Sequence, residues 1–166
     1  MLSGSLPTPF SVTDIGSPAI AGSAVYIQSS NQYQVTAAGT GLGSVSGGTG
    51  DQASMVGENW TGAGSVTADI GPVADTGNAA LAGVMVRDTA AGNSEFAAVG
   101  VLPAGQVVFD YRSSTGGAIV YESELTFSQP GSSTWVRLAE STSGGQENFT
   151  AYASQDGVCP FLSGKC

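Results

Sequence analysis

Apolar and polar positions alternate with a period of two along much of this chain, the pattern of strands that bury one face. Over residues 65–70, Val66, Ala68 and Ile70 fall on one side, with Thr67 and Asp69 on the other. Residues 106–112 repeat the pattern, setting Val107, Phe109 and Tyr111 opposite Asp110 and Arg112. Val84 and Val86 against Met85 and Arg87 predict a third strand, and Val136 and Leu138 against Trp135 and Arg137 a fourth. Further strands are predicted near 24–28 and 33–38, hinged at Ser29, Ser30 and Asn31, with a short one near 53–56. No stretch keeps apolar residues at i, i+3, i+4 and i+7 for three turns, so no helix is predicted.

Turn clusters separate these runs: Pro103 to Gly105, Ser113 to Gly117, Pro130 to Ser133 and Thr142 to Gly145. Glycine supplies positive φ in hairpin turns and proline presets the first turn position. From residue 64 onward strands recur every 8 to 14 residues or so, the rhythm of an antiparallel sandwich or barrel. Residues 39–64 hold nine glycines and predict a long loop around the strand at 53–56. Long loops are where function tends to sit. No internal repeat is evident, so one domain is expected over 7–158, between a tail at 1–6 and a cysteine-bounded tail at 159–166.

Composition narrows the function classes. The 166 residues include four Lys and Arg against thirteen Asp and Glu, with no histidine and a formal charge of −9. Four cations cannot neutralise a phosphate backbone, so nucleic acid is not an expected partner. Without imidazole, Ser-His-Asp and Cys-His catalysis and histidine-based metal sites are absent in their usual forms. No apolar run reaches the ~18 to 20 residues of a membrane helix, and the first residues lack a basic segment followed by an apolar one. Membrane insertion and a signal peptide are therefore not expected. Scarce lysine with abundant Gly, Ser and Thr suits an extracellular, cell-surface or virion setting. Cys159 and Cys166 are expected to close a small disulfide loop, favoured by the intervening Pro160 and Gly164.

Several segments together resemble one family. They are residues 10–18 (FSVTDIGSP) and 21–26 (AGSAVY), 64–69 (GSVTAD), 82–88 (AGVMVRD), 107–112 (VVFDYR) with Thr115-Gly116-Gly117, 135–138 (WVRL), and 149–152 (FTAY) with Ser154 to Gly157. In this order they look like a concanavalin A-like β-sandwich module of the accessory type found in bacterial extracellular and carbohydrate-active proteins. The resemblance implies an all-β fold, an antiparallel two-sheet β-sandwich of jelly-roll type, and glycan as the ligand class. Members usually continue past the Asp-Gly turn with one or two strands, whereas this chain stops at Cys166. An edge closed by another chain, through strand donation or a homo-oligomer, is one expected consequence. The Gly-rich region at 39–64 also departs from the family pattern.

The candidate chemistry is sparse. Trp60, Tyr33, Tyr111 and Trp135 carry flat rings suited to stacking on sugars, and Trp60 stands out for lying in the Gly-rich segment. No cofactor is expected beyond calcium, for which Asp51 and Asp156 are candidate oxygen ligands beside turn carbonyls; turn capping is the competing role. Glu122 and Glu124 share a strand face but lack the remainder of a glucanase motif, so an acidic solvated face is the preferred reading over glycoside hydrolysis. Arg87, Arg112 and Arg137 are expected to form exposed pairs with acids such as Asp88 or Asp110. Asn59 and Asn148 begin glycosylation triplets. The expected function is non-catalytic recognition or attachment at an outer surface, with carbohydrate as ligand. The second reading is a structural subunit of a virion, fibre or filament.

Overall fold

The computed structural model describes residues 4–43, 50–77, 80–126 and 132–157, with the side chains of 122–126 outside the description. These residues form eleven strands and no helix. The strands are β1 (Ser11–Ile15), β2 (Ser23–Ile27), β3 (Gln32–Thr36), β4 (Ala53–Gly57), β5 (Gly64–Ile70) and β6 (Ala82–Arg87). They continue with β7 (Phe96–Val101), β8 (Gln106–Arg112), β9 (Val120–Thr126), β10 (Thr134–Ser143) and β11 (Gln146–Ser154). All pairings are antiparallel: β6-β7-β8-β9 in one sheet, β11-β10-β5 in another, and the pairs β1-β4 and β2-β3.

The alternation read from the sequence sets which faces meet. In the three-stranded sheet, Val136 lies beside Ala68 and Ala153, and Leu138 beside Val66 and Ala151. In the four-stranded sheet Val84 lies beside Val99, which lies beside Phe109. These faces share one core, in which Val99, Val107, Val136 and Leu138 are fully buried and Ala97, Val101, Ala151 and Ala153 nearly so. The β10–β11 hairpin closes through Gly144 and Gly145, whose φ of 62° and 80° have the sign a type I′ turn requires at both central positions.

The expected strands at 24–28, 33–38 and 53–56 are β2, β3 and β4, shifted by a residue or two at their ends. One expectation fails. Asp110 and Arg112 should face solvent by alternation, yet both are buried, as is every residue of β7. The four-stranded sheet is covered on its second face as well. Leu81 lies against Gly100, and the segment around Asp51 lies against the rung that contains Arg112. Alternation reports one covered face and is silent about a second.

Leu138 sits mid-strand with no exposure, in contact with both sheets' core residues. Leu138→Ala is expected to lower unfolding free energy by about 2–5 kcal/mol through lost transfer energy and a residual cavity. Urea unfolding followed by tryptophan fluorescence measures it. A loss comparable to that of half-buried Val66→Ala would contradict this placement of the core.

Candidate functional site

Pairing of β1 with β4 sets Ser11 opposite Gly57 and Thr13 opposite Met55, so these four share one face of a short two-stranded ribbon. With Pro9 at the entry to β1 and Glu58 and Asn59 just past β4, they line a cleft of about 280 Å³. Two hydroxyls, an amide and a carboxylate thus surround the Met55 thioether and the Pro9 ring. Hydroxyl and amide groups both donate and accept, and Glu58 accepts. Glu58 is the one carboxyl group among the described lining residues. The lining thus offers hydrogen-bond donors and acceptors around a small apolar surface at Met55 and Pro9.

Trp60 follows Asn59 directly. Its indole N–H donates to the Gly62 carbonyl. Its ring crosses Gly64 so closely that a Cβ there would lie 2.4 Å from Cζ2. The residue is half-buried. The other aromatic candidates lie on separate elements. Tyr33 is exposed on β3, beside Phe10 and Tyr26. Tyr111 packs against the core beside Phe109, which leaves it a structural part. Trp135 is 38% exposed on the outer face of β10, with Gly157 beneath its ring. Arg137, one rung along, places its guanidinium 5.5 Å from the Tyr152 ring centre.

The carboxylate of Asp51 does not face a cation site. It is fully buried, and both of its oxygens accept from guanidiniums: Oδ1 from Arg112 Nη2 at 2.8 Å, and Oδ2 from Arg112 Nη1 at 2.9 Å and Arg87 Nη2 at 3.2 Å. Gly43 N–H also donates to Oδ1. The arginines therefore pair with Asp51 and not with Asp88 or Asp110 as exposed pairs, because Arg87, Phe96 and Arg112 form one rung across β6, β7 and β8. Both guanidiniums lie over the Phe96 ring, 5.5 and 5.1 Å from its centre. Burial lowers the Arg87 pKa, and the Asp51 charge opposes that effect. Sequence reasoning missed this group, although two of the chain's four cations each ending an apolar strand was an available signal.

Asp156 caps its own turn, its Oδ1 accepting from Ser154 Oγ at 2.6 Å while its N–H donates to the same hydroxyl. Among the described residues no group of three or more Asp, Glu, Cys or His is placed to hold a metal ion. Glu122 and Glu124 lie on β9, but their side chains fall outside the description, and so do Cys159 and Cys166. Asn148 is exposed, its amide donating to the Gln146 carbonyl, and Asn59 is exposed at the cleft. Comparison with protein-family models, curated proteins and solved structures finds no match to this chain.

Asp110 is the other buried acid, 6% exposed, and its Oδ1 has no hydrogen-bond partner among the described residues. Desolvation pushes its pKa up from 3.8 to about 6. Between those values the folded state holds more proton than the unfolded one, so this group lowers stability as pH rises through them. Asp110→Asn is expected to raise stability at neutral pH by about 1–2 kcal/mol, after allowance for screening, and to remove that decline. Urea midpoints across the acid range check this, and a slope identical to that of the parent would contradict it. Asp51→Asn has the opposite sign. Loss of the carboxylate charge leaves two guanidiniums buried without a counter-ion, and unfolding free energy should fall by about 3–5 kcal/mol, read by the same titration.

Proposed function

We propose that this chain is a non-catalytic antiparallel β-sandwich of the concanavalin A-like, jelly-roll kind that recognises carbohydrate at an extracellular, cell or particle surface. The sandwich reading is supported by the single core that the three- and four-stranded sheets share. The carbohydrate reading rests on the cleft: Ser11, Thr13, Glu58 and Asn59 supply a mixed donor and acceptor lining around Met55 and Pro9, with Trp60 adjoining in sequence. Protein sites for small ligands combine apolar surface with a few placed polar groups in this way. Glu58 is the lone charge among the described lining residues, which favours neutral sugars over acidic ones.

A glycan array probed with labelled protein, followed by calorimetry on the best ligand, tests the reading. Asn59→Ala and Thr13→Val are each expected to weaken binding by about tenfold, the worth of one or two lost hydrogen bonds, with melting temperature unchanged. Trp135→Ala, on a different sheet, is expected to leave affinity unchanged. Binding to no neutral or acidic glycan by a folded protein overturns the proposal, and binding abolished by Trp135→Ala but not by Asn59→Ala overturns the site.

A further inference from the structure

The first fifty residues contain one side chain charged at neutral pH, Asp14; the other twelve carboxylates and all four cations follow it. Asp14 is turned to internal use, its Oδ1 accepting from Gly22 N–H at 2.9 Å and Ser54 Oγ at 2.7 Å. The surface formed by β2, β3 and their connection is therefore uncharged in a strongly acidic chain. Within it, all five residues of β3 are exposed, and Tyr33 and Val35 retain 40% and 43% of their accessible surface. Tyr33 pairs with Tyr26 and Val35 with Ala24, so both apolar side chains share a face, which Phe10 extends.

Among the described residues β3 pairs with β2 alone, leaving its other edge without a ladder partner. Exposed edges are ordinarily blunted by a lysine or other charge, a proline or a bulge. Gln32-Tyr33-Gln34-Val35-Thr36 has none of these, its pairing with β2 runs without a break, and Tyr, Val and Thr favour strands.

We infer that β3 is an association edge whose partner is β3 of a second copy of this chain, in antiparallel, two-fold pairing. Charge argues for a second copy. Two molecules of −9 repel wherever their acidic parts approach, and this neutral surface is where they can meet without that repulsion. A basic partner would be drawn to the acidic remainder of the chain instead. A two-fold axis near Gln34 sets Tyr33 of each copy beside Val35 of the other, an aromatic and β-branched pair of the kind that stabilises neighbouring strands. The isologous geometry closes at a dimer.

Sedimentation equilibrium of the full 166-residue chain over a concentration series, with reductant present to remove any cysteine-linked species, tests this. A dimer is expected, tightened between about 50 mM and about 500 mM salt as the remaining acidic repulsion is screened. Val35→Lys should weaken association by about tenfold or more, with circular dichroism and melting temperature unchanged, and Tyr33→Lys should do the same. Thr67→Lys, exposed on β5, should leave the dimer intact. A chain that stays monomeric at high salt, a dimer indifferent to both β3 variants, or open-ended polymers would each overturn the proposal. Glycan binding is read separately, so either result stands independently of the cleft.

Discussion

A carboxylate enclosed between two guanidiniums holds together parts of this chain that have no ladder between them. Asp51 stands 36 residues from Arg87 and 61 from Arg112, and the two arginines reach it only because Phe96 carries them on either side of one rung. The group has one positive charge in excess. That excess is met by carbonyl oxygens of Thr89, Ala91, Ser94 and Gly117, and by the face of the Phe96 ring. The connection between β6 and β7 and the one beyond β8 are consequently shaped around the guanidiniums. Backbone contact is equally close: Asp51 N–H donates to Gly92 O at 2.7 Å, and a Cβ on Gly16 would lie 2.1 Å from Asp51 O. Only glycine, at its φ of 66°, fits there.

This arrangement places the β1–β4 ribbon, and with it the cleft. Asp51 is two residues before β4, and Gly16 directly follows β1. Gly16 N–H donates to Ala90 O and Asp51 N–H to Gly92 O, so both strands of the ribbon are tied at one end to the connection between β6 and β7. The cleft lies toward the opposite end, where Ser11, Gly57, Glu58 and Asn59 are free of those ties. The ribbon is thus anchored at its root and open at its tip.

Much of the strand content was legible because it depends on local alternation. Val66, Ala68, Ile70, Val136 and Leu138 face inward as their spacing requires. What escaped depends on contacts between distant residues. Arg112 reads as a solvent-facing strand residue until Asp51 is known to cover it, and Asp51 sits in a Gly-rich run whose periodicity carries no information. Asp110 is the same error on the same face: alternation marks it as the side opposite Phe109, and only the covered second face makes it costly. Of the candidate rings, Trp60 stands out in sequence for its place in the loop; it follows the lining residue Asn59 directly, and its own ring packs over Gly64. Tyr111 reads identically to a ligand platform in sequence, yet packs into the core because Val107 and Phe109 share its face.

Both the Asp51 contacts and the pairing of β5 with β10 span the middle of the chain. A cut in the connection between β5 and β6 would leave Asp51 and β5 on one piece, and both arginines with β10 on the other. The larger piece would then hold two guanidiniums with no counter-charge, beside a three-stranded sheet lacking one edge strand. The smaller would hold the missing acid and the missing strand. Each piece thus carries the charge partner and the strand neighbour that the other lacks.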